Sequence, residues 1–165
     1  YTLAVKPETA EEYNLKTLSD LSKVSKNLVI SPTLEFTKRI DCLPGLKETY
    51  NMNFKKVIAM DSSPRYIALM NNESDAVDAF STDGLLKKFG LVVLEDDKNF
   101  FPPYYAVPVI RSDLLAAHPE LEELLTQLGD TLTEDVMIDL NYQVDEEGKD
   151  PQTVAKDYLV AQGLI

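Results

Sequence analysis

Apolar positions along this chain follow two rhythms. The runs YTLAV (1–5), NLVIS (27–31), KKVIAM (55–60), DAVDAF (75–80), LVVLED (91–96) and YYAVPVI (104–110) are compact and rich in β-branched or aromatic residues, and each reads as a strand. Between them, apolar residues recur at helical spacing. Lys16 to Lys26 carries Leu18, Leu21 and Val24, and Thr17 with Asp20 makes an N-terminal capping box. Pro44-Gly45 punctuates the chain ahead of a short helix from Leu46 to Asn51, and Pro64 sits in the first turn of a helix running to Asn72. Asp83-Gly84 opens another helix to Phe89, with Asp83 as its cap. Short strands separated by single helices predict an α/β fold with a mostly parallel sheet covered by helices.

From Ser112 onward the pattern carries helix signals only. Pro119 follows a helix end, Gly129-Asp130 is a stop, Thr133 heads a new helix, and Asp150-Pro151 begins the last. The apolar faces of these helices (Leu121, Leu124, Leu125 and Leu128, then Val136 and Leu140, then Val154 and Tyr158) need a surface to pack on. That surface is either the first part of the chain or protein outside it. FFPPYYAVP (100–108), the one proline-rich stretch, reads as a connection between two bodies.

Composition narrows the chemistry. The 165 residues suffice for one domain with a core, and 44% hydrophobic with 27% charged residues is ordinary for a globular protein. A net charge of −12 repels phosphate backbones, so no nucleic-acid partner is expected. One cysteine, Cys42, allows no internal disulfide, and one histidine, His118, with one cysteine cannot build the usual zinc site. No apolar run reaches the length of a membrane span. The chain opens on YTLAVKPET, mid-strand, without an initiator methionine or a basic leader region, and is expected to be a piece of something longer.

Catalytic signatures are lacking. There is no G-x-S-x-G, no P-loop and no G-x-G-x-x-G, and His118 lies in an Ala-His-Pro turn at a helix boundary. No enzyme activity, cofactor or metal is expected. The aromatic residues carry more. Tyr1 and Tyr104-Tyr105 stand at strand starts and Phe80 at a strand end. Such rings either fill a core or present faces that bind a cation lacking hydrogen-bond donors. Arg39 and Arg65 are candidates for anion capture. Arg39 precedes the Pro-Gly turn, where its guanidinium either holds a carboxylate bidentately or pairs with Asp41 or Glu35. Cys42 reads as a small buried hydrophobe.

Three stretches taken together, EFTKRIDCLPGL, MDSSPRYIALMNNESDAVDAFSTDG and LEDDKNFFPPYYAVPVIR, resemble the substrate-binding proteins of osmoprotectant ABC importers. These capture quaternary-ammonium compounds (glycine betaine, carnitine, choline), with an ergothioneine-binding branch. The resemblance runs through essentially the whole chain. It implies a two-lobed, class II periplasmic-binding-protein-like fold, of which this chain is the second lobe plus the C-terminal helical part of the first. Residues 1–110 would be lobe two, with hinge strands at both ends (Tyr1–Val5 and Tyr104–Ile110). Residues 111–165 would belong to lobe one.

Carried over by position, the resemblance places an aromatic cage on Tyr1, Phe80 and Tyr104, and a carboxylate-binding arginine on Arg39. Two positions depart from the family pattern: Phe80 stands where tyrosine is common, and Cys42 where glycine is common. The implied partners are a small quaternary-ammonium ligand and an ABC permease subunit. The implied location is the extracytoplasmic face of the membrane, as a lipoprotein or fused to a permease, or the periplasm. The alternative is a ligand-sensing domain of the same fold fused to a membrane receptor.

Overall fold

The computed structural model describes residues 1–165. Five strands form one sheet: β1 (Thr2–Val5), β2 (Val29–Ile30), β3 (Lys56–Val57), β4 (Ala76–Ala79) and β5 (Val92–Val93), in the order β3-β2-β4-β1-β5. Helices α1 (Pro7–Tyr13), α2 (Leu18–Val24), α3 (Leu43–Tyr50), α4 (Ser62–Met70) and α5 (Gly84–Lys88) connect them. Four further helices follow: α6 (Ser112–Ala117), α7 (Glu120–Thr131), α8 (Glu134–Asp145) and α9 (Pro151–Ala161). No helix is long and apolar enough to cross a membrane.

Strand alternation sorts the core into two layers. Leu3 and Val5 of β1 join Leu18, Leu21, Ile30, Phe36 and Leu46 on one face of the sheet. Ala4 joins Tyr66, Leu69, Val77, Ala79 and Leu86 on the other. Leu3, Leu18, Leu21, Leu46 and Leu69 are fully buried, each contributing roughly 1.5–3 kcal/mol of transfer free energy. The predicted capping box forms: Thr17 Oγ1 accepts from the Asp20 N–H at 3.1 Å, and Asp20 accepts from the Thr17 N–H at 3.2 Å.

The α/β organisation agrees with the sequence pattern, but the sheet is mixed rather than mostly parallel. β2 runs parallel to β3 and β4, whereas β1 runs antiparallel to β4 and β5. Alternating strands and helices imply parallel pairing only when each crossover joins neighbours. Here α5 carries the chain from β4 to β5 across β1, which lies between them in the opposite direction.

Three local expectations also shift. The pattern gives no element between Val5 and Lys16, yet α1 forms there, started by Pro7 at its first turn and closed by Asn14 in the left-handed conformation (φ 51°). Pro44 and Gly45 do not precede α3 but lie inside its first turn. Tyr104–Ile110 forms no strand and pairs with none. Pro102, Pro103 and Pro108 offer no N–H, and residues 102–110 make no backbone–backbone hydrogen bond.

The helices after residue 111 form a thinner body in which only Val154 is buried. Leu121, Leu125, Leu128, Val136 and Leu140 are half-buried. The body leans on the sheet layer mainly where α8 crosses α5.

Candidate functional site

Strand direction builds the site. β1 pairs antiparallel with β4 in the register Thr2↔Ala79, so the residue before β1 lies beside the residue after β4. Those residues are Tyr1 and Phe80, and their ring centroids are 4.7 Å apart at a tilt of 33°. The loop leaving the carboxyl end of β2, parallel to β4, reaches the same edge of the sheet. It carries Phe36, whose ring meets Tyr1 edge-on at 5.5 Å, and Arg39, whose guanidinium carbon stands 5.8 Å from the Tyr1 ring centroid. Tyr104 closes the row, its ring 5.5 Å from Tyr1 and perpendicular to it. The mouth of the site thus lies outside the carboxyl ends of parallel strands, the usual ligand position in open α/β sheets.

All four residues singled out for ligand contact, Tyr1, Arg39, Phe80 and Tyr104, therefore come together. They form an open aromatic face, with Phe80 44% and Tyr104 45% exposed. Exposed rings of this size carry negative quadrupole faces available to a cation.

Arg39 is not a free anion receptor. Its Nε and Nη2 donate to the two oxygens of Asp41 at 2.9 and 2.6 Å, and its Nη1 donates to Glu35 at 3.0 Å. The Tyr104 hydroxyl also donates to Asp41, at 2.7 Å. The Arg39 fork, and then the Tyr104 hydroxyl, hold the Asp41 carboxyl well below the usual carboxylate range. Burial, and then the bond to Asp41, push the Tyr104 phenol up to about 12, so it remains a donor at neutral pH. Asp41 thereby links the anion-binding candidate to the aromatic face. Its adjacency to Arg39 in R-x-D is the only sequence signal for that role.

Arg65 is no anion receptor: it is 2% exposed and sits between Asp78 and Asp83, its Nε and Nη2 3.2 Å from each respectively. Cys42 is fully buried, and burial first, then Asp41, push its thiol up to about 11. His118 caps the end of α6 on the surface, its Nδ1 3.1 Å from Glu120. Asp83 holds the N-cap position of α5 but bonds no N–H of that helix; its carboxylate turns back to the Phe80 N–H at 3.1 Å.

Two sequence motifs meet below the site. Phe100 packs on Gly45 of α3, and Phe101 lies 6.5 Å from the Tyr1 ring. Asp96 fixes the intervening turn by accepting from the Phe101 N–H at 2.8 Å and from the Tyr50 hydroxyl. The segment that delivers Tyr104 is thus anchored just before its prolines.

Comparison with known proteins gives one consistent result. Residues 1–161 match the family described as the substrate-binding domain of ABC-type glycine betaine transport systems. The ergothioneine transport permease/ergothioneine binding protein EgtU of Helicobacter pylori is 38% identical over 99% of this chain, which spans 30% of that protein. The carnitine transport binding protein OpuCC of Listeria monocytogenes is 36% identical over 96% of this chain, which spans 52% of it. Among solved structures, that of a glycine betaine/carnitine/choline ABC transporter is 38% identical, with a TM-score of 0.90 over 99% of this chain and 60% of its own. Apo YehZ from Escherichia coli is 28% identical, with a TM-score of 0.77 over 99% of this chain and 62% of its own. The chain thus spans about half, or less, of the length of these curated relatives. With the family matching nearly every residue, and with a solved relative superposing over the whole of it, the chain belongs to the substrate-binding domain family of ABC-type glycine betaine transport systems.

Proposed function

We propose that the protein is the extracytoplasmic solute-binding component of an ABC importer, and that it captures a quaternary-ammonium compound and delivers it to the permease. The observation that carries this reading is the convergence of Tyr1, Phe80, Tyr104 and Arg39 on one face, in a chain of this family. A trimethylammonium group donates no hydrogen bonds, so ring faces are the natural means of recognising it. A carboxylate on the same ligand would meet Arg39, sharing or replacing its bonds to Asp41 and Glu35.

In this reading residues 1–110 form the second lobe and residues 111–165 return to the first. The proline-marked segment 102–110 then acts as one of the two crossings, and the open aromatic face becomes one wall of a cleft that closes on the ligand. Exposed Val107 and Val109, at 69% and 93%, are side chains that such a crossing would cover. The Helicobacter relative bears both permease and binding protein in its name, which favours a domain tethered to its permease as the arrangement to test first.

Calorimetry on the full-length protein with glycine betaine, carnitine, choline and ergothioneine tests the proposal. At least one is expected to bind with a dissociation constant below about 1 mM, equivalent to ~4 kcal/mol. Phe80→Ala is expected to weaken that binding by ~1–3 kcal/mol. Absence of binding by all four ligands, or an unchanged affinity in the variant, overturns the reading.

A further inference from the structure

A chain of buried and half-buried polar groups runs beneath the aromatic face, and the ligand-contacting residues leave it unused. It starts at Asp78, fully buried in β4. The Asp78 carboxylate accepts from the Thr33 N–H at 2.8 Å and from the Thr33 hydroxyl at 2.9 Å, fixing the start of the loop that carries Phe36 and Arg39. Thr33 Oγ1 in turn accepts from the Phe36 N–H at 3.3 Å. Arg65 lies alongside, with Nε donating to the Asp78 carbonyl at 2.8 Å and Nη1 to the Ser62 carbonyl. Its remaining nitrogen, Nη2, reaches Asp83 Oδ2 at 3.2 Å. That one oxygen also accepts from the buried Tyr66 hydroxyl at 2.6 Å and from the Phe80 N–H at 3.1 Å.

Two physical points give this chain a purpose beyond stability. First, a buried ion pair is a poor way to gain stability, because desolvation offsets most of the Coulomb attraction; fixing a unique geometry is its better-attested use. Second, Phe80 needs fixing. Its ring is half exposed and borders a cleft of about 180 Å³ shared with Ser62, Arg65, Tyr66 and Asp83, so packing alone does not hold it. Asp83 has also given up the capping of α5, the ordinary use of an aspartate at that position, to hold the Phe80 backbone.

We infer that Asp83 is a positioning residue for Phe80, and that Arg65 and Asp78 couple it to the Thr33–Arg39 loop, so that one polar network, buried at Arg65 and Asp78, sets the spacing between the cation-binding ring and the anion-binding arginine. The inference rests on the proposed ligand contacts of Phe80 and Arg39. It identifies Asp83, Arg65 and Asp78 as residues that govern affinity without touching the ligand.

A double-mutant cycle on the full-length protein tests this, with glycine betaine as the probe. Asp83→Ala is expected to weaken binding about tenfold, and Asp83→Asn, which keeps an oxygen for the Phe80 N–H, to recover part of the loss. In a Phe80→Ala background, Asp83→Ala is expected to cost less than about twofold, because its effect passes through Phe80. Thermal melting of each ligand-free variant identifies those that stay folded, and Asp83→Asn carries the test if Asp83→Ala does not. If Phe80→Ala binds like the parent, the cage reading fails and this inference with it. If Phe80→Ala weakens binding but the Asp83 variants do not, or if their cost is undiminished in the Phe80→Ala background, the positioning role alone is overturned.

Discussion

An ideal Cβ on Gly45 would lie 2.2 Å from the Ile40 carbonyl oxygen and 2.6 Å from Cε2 and Cζ of Phe100. The oxygen belongs to the backbone and cannot swing aside. The glycine of L-P-G-L is therefore a contact surface, on which the aromatic pair of F-F-P-P-Y seats before the chain turns toward Tyr104. Gly45→Ala overlaps both the Ile40 carbonyl, in the turn that leads to Asp41, and the Phe100 ring, so both contacts must open. It is expected to lower stability by ~1–3 kcal/mol, read as a shift in denaturant midpoint, and to weaken ligand binding in the fraction that stays folded. Residue identity alone showed a turn-former here. The glycine is demanded by the Ile40 carbonyl nearby and also by a side chain 55 positions later, and that second contact is a tertiary fact with no local signature.

At the scale of elements, α2 shows how much a local signal can settle. Thr17 and Asp20 have the spacing of a capping box, and both bonds form. Thr17→Ala is expected to cost ~1 kcal/mol. Asp20 adds a pH dependence. Lys23 first, then the N–H groups of Lys16 and Thr17, hold its carboxyl down to about 2, below the ordinary aspartate value. Its folded pKa lies below its unfolded one, so its stabilising contribution is present above about pH 4 and lost as pH falls toward 2. Acid melts of Asp20→Asn against the parent check this: their difference should shrink across that interval. The elements that sequence reasoning misplaced lack such signals. α1 is short and polar and ends on a left-handed Asn14 rather than a glycine. YYAVPVI has strand composition, but a strand needs a neighbour, and composition does not supply one. The antiparallel β1 is the more consequential gap. Period-two alternation marks a strand without giving its direction, yet the register Thr2↔Ala79 is what places Tyr1 against Phe80. The motifs located the rings, and the sheet made them neighbours. Arg65 and Asp78 were illegible for a different reason: charged residues are rarely buried, and only the fold reveals that these two are buried together.

At the scale of the whole molecule, the question is what holds the helical body against the sheet layer. Ser81 donates to Glu134 at 2.8 Å, and Asn141 donates to the Thr82 carbonyl at 2.8 Å. Lys87 pairs with Asp139 at 2.7 Å, and Lys88 pairs with Glu146. These side chains are largely exposed apart from Ser81, Asn141 and Glu146, and exposed pairs contribute little individually. The tighter constraint is Gly84, where an added Cβ would lie 2.8 Å from the Tyr142 nitrogen and 2.9 Å from its Cα. α5 and α8 thus meet backbone to backbone, at the first residue after the S-T-D that follows Phe80. This crossing is the principal contact joining residues 112–165 to the segment that follows Phe80. Gly84→Val should pry α8 away, raising amide hydrogen exchange across Glu134–Asp145 while leaving β1 and β4 protected. Gly129→Ala is the matched control. It lies inside α7 with nothing within 4 Å of its added Cβ, and should stabilise by ~0.5–1 kcal/mol through helix propensity alone. If Gly84→Val left exchange in α8 unchanged, the charged pairs would have to hold the two bodies together, and raising the salt concentration should then release α8.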